Sequence, residues 1–190
     1  MTISMYNQVI AISNRHLCND FLPQIEKICT LHPKALVLRE KDLSESQYLQ
    51  LAKEVLEICN TYQVSCILHS FINVANTLNH KKIHLPLPLL EKYEGQLSNF
   101  TTIGCSIHSL DEAFKAQSLG ATYLTAGHIY QTDCKKGVPP RGLSFLTDVC
   151  KHISVPVYAI GGIHLDEKQF KEISSCGASG GCIMSGMMKL

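Results

Sequence analysis

Apolar residues fall along this chain in short, near-continuous runs separated by longer stretches of mixed character. Eight runs rich in β-branched and other apolar residues read as strands, at 9–13, 35–39, 65–69, 82–85, 102–107, 123–127, 156–160 and 180–184. They lack a polar face, as strands do when helices cover a parallel sheet. The stretches between them carry helical spacing instead. Segment 21–30 sets Phe21, Leu22, Ile25 and Ile28 on one face, and segment 47–61 repeats Leu49, Ala52, Leu56 and Cys59. Segments 110–119 and 143–150 behave likewise. Ser109 followed three residues on by Glu112 predicts a capping box, and Gly120 predicts the stop of that helix.

Strict alternation of strand and helix narrows the fold to a (β/α)8 barrel or an open doubly wound sheet. Eight units favour the barrel, and so does the gathering of polar groups at strand ends: Arg39, His69, Ser106 and His128. An open sheet more often has a glycine-rich turn after its first strand, where this chain has Ser13-Asn14-Arg15-His16. The expectation is one TIM-barrel domain over residues 1–190. Only Gly186 to Leu190 follow Ser185, so the final helix is expected to be short or missing. A seam left open there favours self-association, and a homodimer is expected.

Composition trims the list of functions. A formal net charge of +1 argues against a nucleic-acid or acidic-lipid surface. No apolar run is long enough to span a bilayer, and the N-terminal stretch has no cationic n-region, so a cytoplasmic protein is expected. The nine cysteines are odd in number and form no C-x-x-C. Most lie in apolar segments as reduced, small hydrophobes; Cys134 is the exception, in a loop.

The densest chemistry lies in 123–142, where the strand 123–127 runs into His128, Thr132, Asp133, Cys134, Lys135 and Lys136. A turn needs no histidine, thiol and paired lysines. Gly161-Gly162 and Met184-Ser185-Gly186 end the seventh and eighth strands, the corner of this barrel that commonly binds phosphate through backbone amides. Arg39 and Lys41 project to one side after the second strand, suited to a carboxylate or phosphate, with Glu40 facing the other way. His128 has the imidazole needed to take and return a proton near neutral pH. A zinc site on His69, His84 and His128 lacks any motif spacing, and no metal is expected. No Asp or Glu occurs between Glu57 and Glu91, so a magnesium–diphosphate site beside the third and fourth strands would lack its carboxylates.

Leu38-Arg39-Glu40-Lys41, Gly104-Cys105-Ser106-Ile107-His108-Ser109, the loop from Gly127-His128 through Thr132-Asp133-Cys134-Lys135-Lys136-Gly137, Ala159-Ile160-Gly161-Gly162-Ile163 and Met184-Ser185-Gly186 together resemble the thiamine phosphate synthase superfamily. The likeness covers nearly the whole chain and is closest to the thiazole tautomerase (TenI-type) branch. The synthase branch is expected to carry an Asn-Asp pair after strand three and an aspartate after strand four, both serving magnesium diphosphate, and a non-basic residue after strand six; this chain has neither carboxylate set and has His128 at the last place. The resemblance therefore implies a cofactor-free isomerase that aromatises the carboxythiazole phosphate intermediate of thiamine biosynthesis. His128 would carry the proton. Ser106, Thr132, Asp133, Cys134, Lys135, Gly162, Met184 and Ser185 would hold the thiazole phosphate, and Arg39 its carboxylate. Two alternatives stand beside it: a thiamine phosphate synthase, joining a pyrimidine diphosphate to thiazole phosphate, and a barrel that binds thiazole phosphate without turnover.

Overall fold

Eight parallel strands close into a barrel in sequence order, and the last pairs back to the first with Ile10 opposite Cys182. The strands are β1 (Val9–Ile12), β2 (Ala35–Leu38), β3 (Cys66–His69), β4 (Lys82–Pro86), β5 (Thr102–Ile107), β6 (Tyr123–Gly127), β7 (Val157–Ile160) and β8 (Gly180–Ile183). The helices are α1 (Phe21–Thr30), α2 (Glu45–Thr61), α3 (Ile72–Thr77), α4 (Leu87–Lys92), α5 (Leu110–Ser118), α6 (Gly142–His152), α7 (Glu167–Ser175) and α8 (Ser185–Met188). This computed structural model describes residues 5–132 and 137–190.

The strands read as continuously apolar because both of their faces are buried, in different layers. Leu36 and Leu38 of β2 pack outward with Leu68, Leu85 and Leu124 under the helices. Val37, between them, points into the barrel with Ile10, Ile67, Tyr123 and Tyr158. The period of two thus divides a helix-facing layer from an interior plug. Among the described residues, no helix is long and apolar enough to cross a membrane.

Three helices escaped the periodicity. α3 and α4 have six residues each, too few to display a repeat. β4 runs on to Pro86, and Pro88 sits in the first turn of α4, where a missing N–H costs nothing. α7 is capped by Asp166, whose carboxylate accepts from the Gln169 amide at 2.8 Å. α2 begins at Glu45, two residues before the periodicity suggested, because Ser44 and Gln47 form a reciprocal capping box. At α5 the expected box is half made: Ser109 accepts from Glu112 N, but the Glu112 carboxylate takes the His108 amide at 2.6 Å. The last helix is short, as expected. Its single turn buries Met187 and Met188, and the Gln24 side-chain amide of α1 donates to Met187 O at 2.7 Å.

Candidate active site

At the C-terminal mouth of the barrel the β2 end is clamped to the β3 end. Tyr48 of α2 is fully buried; its hydroxyl donates to Leu38 O at 2.6 Å and accepts from His69 N at 2.9 Å. The residues on either side of this clamp are Arg39, whose amide donates to Ser13 Oγ at 2.8 Å, and His69, which faces the barrel axis. Glu40 does point away, as its parity predicts. It is buried and accepts from Ser13 Oγ at 2.7 Å and from Arg15 Nη1 at 3.1 Å. Asp42 is engaged by Arg15 and by His16. The guanidinium of Arg39 and the ammonium of Lys41 have no carboxylate partner among the described residues.

Inside this rim lies a polar network that the sequence did not disclose. His84 of β4 is fully enclosed, with Nδ1 2.9 Å from the Tyr123 hydroxyl and Nε2 2.8 Å from Ser106 Oγ. Thr125 Oγ1 donates to the same Ser106 oxygen at 3.2 Å. The His69 ring stacks beside His84 with centroids 5.5 Å apart, and its Nδ1 lies 2.7 Å from Ser70 Oγ. Gly104 makes room for this: a Cβ there would collide with the Tyr123 ring and with His84 Nδ1. Burial pushes His69 down to about 2, helped by His84, Lys41 and Arg39. Burial, Lys41 and Arg39 push His84 down to about 3. Burial and then Arg39 lower Lys41 as well. Both imidazoles are therefore neutral donors or acceptors at physiological pH, set in a positive field.

His128 is placed differently. It is buried, its Nε2 lies 3.3 Å from Val138 O of its own loop, and its Nδ1 has no hydrogen-bond partner. Nothing described ties its ring to Ser106, His84 or Arg39. Gly161 and Gly162, both at positive φ, are glycine for a packing reason: a Cβ on the first would meet His128, and on the second Tyr130 and Gln131. Met184 packs against the interior plug with its sulfur 3.9 Å from Asn14 Nδ2, and Ser185 is exposed at the start of α8. Thr132 is half-buried in the β6–α6 connection; Asp133, Cys134 and Lys135 lie outside the described residues.

A family model described as thiamine monophosphate synthase matches residues 9–187, almost the entire barrel. The chain belongs to the thiamine monophosphate synthase family. Among the relatives in this enzyme family, thiamine-phosphate synthase 2 of Streptococcus pneumoniae is 30% identical over 185 residues, covering 94% of this chain and 86% of its own. Thiamine-phosphate synthase of Fusobacterium nucleatum is 29% identical over 186 residues, covering 95% and 89%. The solved thiamine phosphate pyrophosphorylase from Pyrococcus furiosus superposes with a TM-score of 0.83 at 24% identity, covering 98% and 90%, and supports the fold.

These relatives overturn the thiazole tautomerase expectation. Proteins similar over nearly the full length of the chain are named as synthases, so the missing carboxylates and His128 were too narrow a basis for choosing the isomerase branch. The proton-carrying role given to His128 belonged to that reading and goes with it. The magnesium that the synthase resemblance implies does not fit the residues present. Magnesium demands hard oxygen ligands in near-octahedral array. The end of β3 offers His69 and Ser70 and the end of β4 Pro86, with His84 two residues inside it, and no cluster suited to a metal occurs among the described residues.

Proposed function

We propose that this chain is a transferase of the thiamine-phosphate synthase type, joining a pyrimidine methyl diphosphate to a thiazole phosphate. The observation that carries the reading is the match to named synthases across 94% of the chain. In the reaction the thiazole ring nitrogen attacks the exocyclic methylene carbon of the pyrimidine. The new C–N bond forms as the C–O bond breaks, and diphosphate leaves with the bonding pair.

Arg39 and Lys41 would receive the charge that develops on the departing diphosphate, as fixed cations with charge-assisted hydrogen bonds do. His69, neutral and held through Nδ1 by Ser70, would present Nε2–H on the same side. His84 would fix Ser106 between itself and Thr125, so that the Ser106 hydroxyl keeps one orientation toward the substrates. The amides after β7 and β8, at Gly161, Gly162, Met184 and Ser185, would hold the thiazole phosphate, joined by the loop residues Thr132, Asp133, Cys134 and Lys135. A second reading, a barrel that binds thiazole phosphate without turnover, is favoured by one observation: β3 ends on His69 and β4 on Pro86, followed by Ser70 and Leu87, where the synthase reading expects carboxylates.

The test is release of pyrophosphate on mixing the protein with both substrates, against controls lacking either one. The transferase reading expects release only with both. Saturable binding of thiazole phosphate without release would favour the second reading and overturn the first.

A further inference from the structure

We propose that the β2–β4 side of the mouth takes a diphosphate group directly on Arg39 and Lys41, with no divalent cation between protein and ligand. The proposal deepens the transferase reading and rests on it for the identity of the anion. Three observations carry it.

The first is the pairing of charges at this end of the barrel. Arg15, Glu40, Asp42 and His16 form a closed set: Glu40 and Asp42 both bind Arg15, and Asp42 also binds His16. Arg39 and Lys41, interleaved with those two carboxylates in sequence, are left unpaired among the described residues. Cations two residues apart with no counter-ion repel one another. An arriving polyanion relieves that repulsion, and a metal ion placed beside them adds to it.

The second is what replaces the carboxylates on the neighbouring strands. No Asp or Glu lies between Glu57 and Glu91. His69 closes the end of β3 there, stacked on the enclosed His84, and both are kept neutral by burial and by the two cations. A neutral imidazole suits an anion's oxygen as a hydrogen-bond donor and is a poor ligand for magnesium.

The third is an unused donor. His69 is 5% exposed, its Nδ1 is taken by Ser70 Oγ, and its Nε2 has no described partner. With the serine hydroxyl donating to Nδ1, the Nε2 atom carries the hydrogen and is free to donate. Two cations and one neutral N–H then make a metal-free receptor for a di- or polyphosphate.

The experiment is calorimetric titration of the full chain with inorganic pyrophosphate, once in excess EDTA and once in excess magnesium. Saturable binding in EDTA is expected, weakened when magnesium is added because the metal complexes the free ligand. Arg39→Ala should lose on the order of tenfold to hundredfold in affinity, as removal of charge-assisted hydrogen bonds does. Arg39→Lys should fall between, and Lys171→Ala, on the exposed face of α7, should bind as the parent does. Binding that appears only with magnesium overturns the proposal, as does absence of binding in both buffers or an Arg39→Ala variant that binds normally. The two readings fail separately. Binding in EDTA without product formation removes the transferase and leaves the receptor; product formed through a magnesium-dependent pyrophosphate site does the reverse.

Discussion

Replacing Tyr48 by Phe removes one oxygen and leaves the ring, which stacks on Phe71 with centroids 4.0 Å apart, in place. The volume lost is negligible, so the cost comes from hydrogen bonds. The hydroxyl serves two buried backbone groups, Leu38 O at 2.6 Å and His69 N at 2.9 Å. Each buried group left unsatisfied costs about 1–3 kcal/mol. The carbonyl has a second lone pair and a neighbouring strand to lean on, so the pair together should cost roughly 2–4 kcal/mol. For a chain of this size that lowers the melting temperature by roughly 4–16 °C. Urea denaturation is the assay, and the midpoint should fall with little change in slope. The same variant should weaken pyrophosphate binding, because the clamp holds the strand ends that present Arg39 and His69. A loss under about 0.5 kcal/mol, within the range of ordinary surface changes, would refute the idea that this hydroxyl ties β2 to β3.

Other perturbations follow from the same geometry. Stability should fall in mild acid: His69 and His84 are held neutral in the fold but protonate near 6.5 when unfolded, so the unfolded chain binds more protons below that pH. Their contribution is complete above about pH 6.5 and declines as pH drops toward their folded values, by roughly 1.4 kcal/mol per pH unit for each. Equal urea midpoints at pH 7 and pH 5 would contradict this. Gly104→Ala drives a methyl into the Tyr123–His84 contact and should destabilise by about 1–3 kcal/mol while lowering turnover; a variant of normal stability and rate would show that the network is slack. His128→Ala should slow the transferase less than about tenfold, far below the ~10²–10⁴ of a lost acid–base group. A larger loss in steady-state rate, in a variant of normal stability, would return His128 to the chemistry.

The barrel was readable because strands buried on both faces announce themselves as unbroken apolar runs, and each boundary fell within a residue or so of the structure. Parity alone separated Arg39 and Lys41 from Glu40, and the hydrogen bonds of Glu40 agree. The His84–Ser106–Tyr123 network was not readable, since it joins three neighbouring strands across 22 and 39 positions of sequence and depends on register. Within β4, His84 looks like a stray polar residue in an apolar run. Gly161-Gly162 suggests a phosphate loop from sequence; the turn packed against residues 128–131 requires both glycines whether or not its amides hold a phosphate. The isomerase expectation rests on His128 and on the absent carboxylates between Glu57 and Glu91. That absence is real, but it describes how an anion is met at the mouth and does not by itself name the reaction.

The most direct measurement is mass spectrometry of the product formed from the pyrimidine diphosphate and the thiazole phosphate, followed in time for the parent and for Arg39→Ala. The account predicts that the parent accumulates thiamine phosphate in step with pyrophosphate and that the variant does so at least about tenfold more slowly. Two substrates recovered intact after long incubation with folded, ligand-binding protein would contradict it.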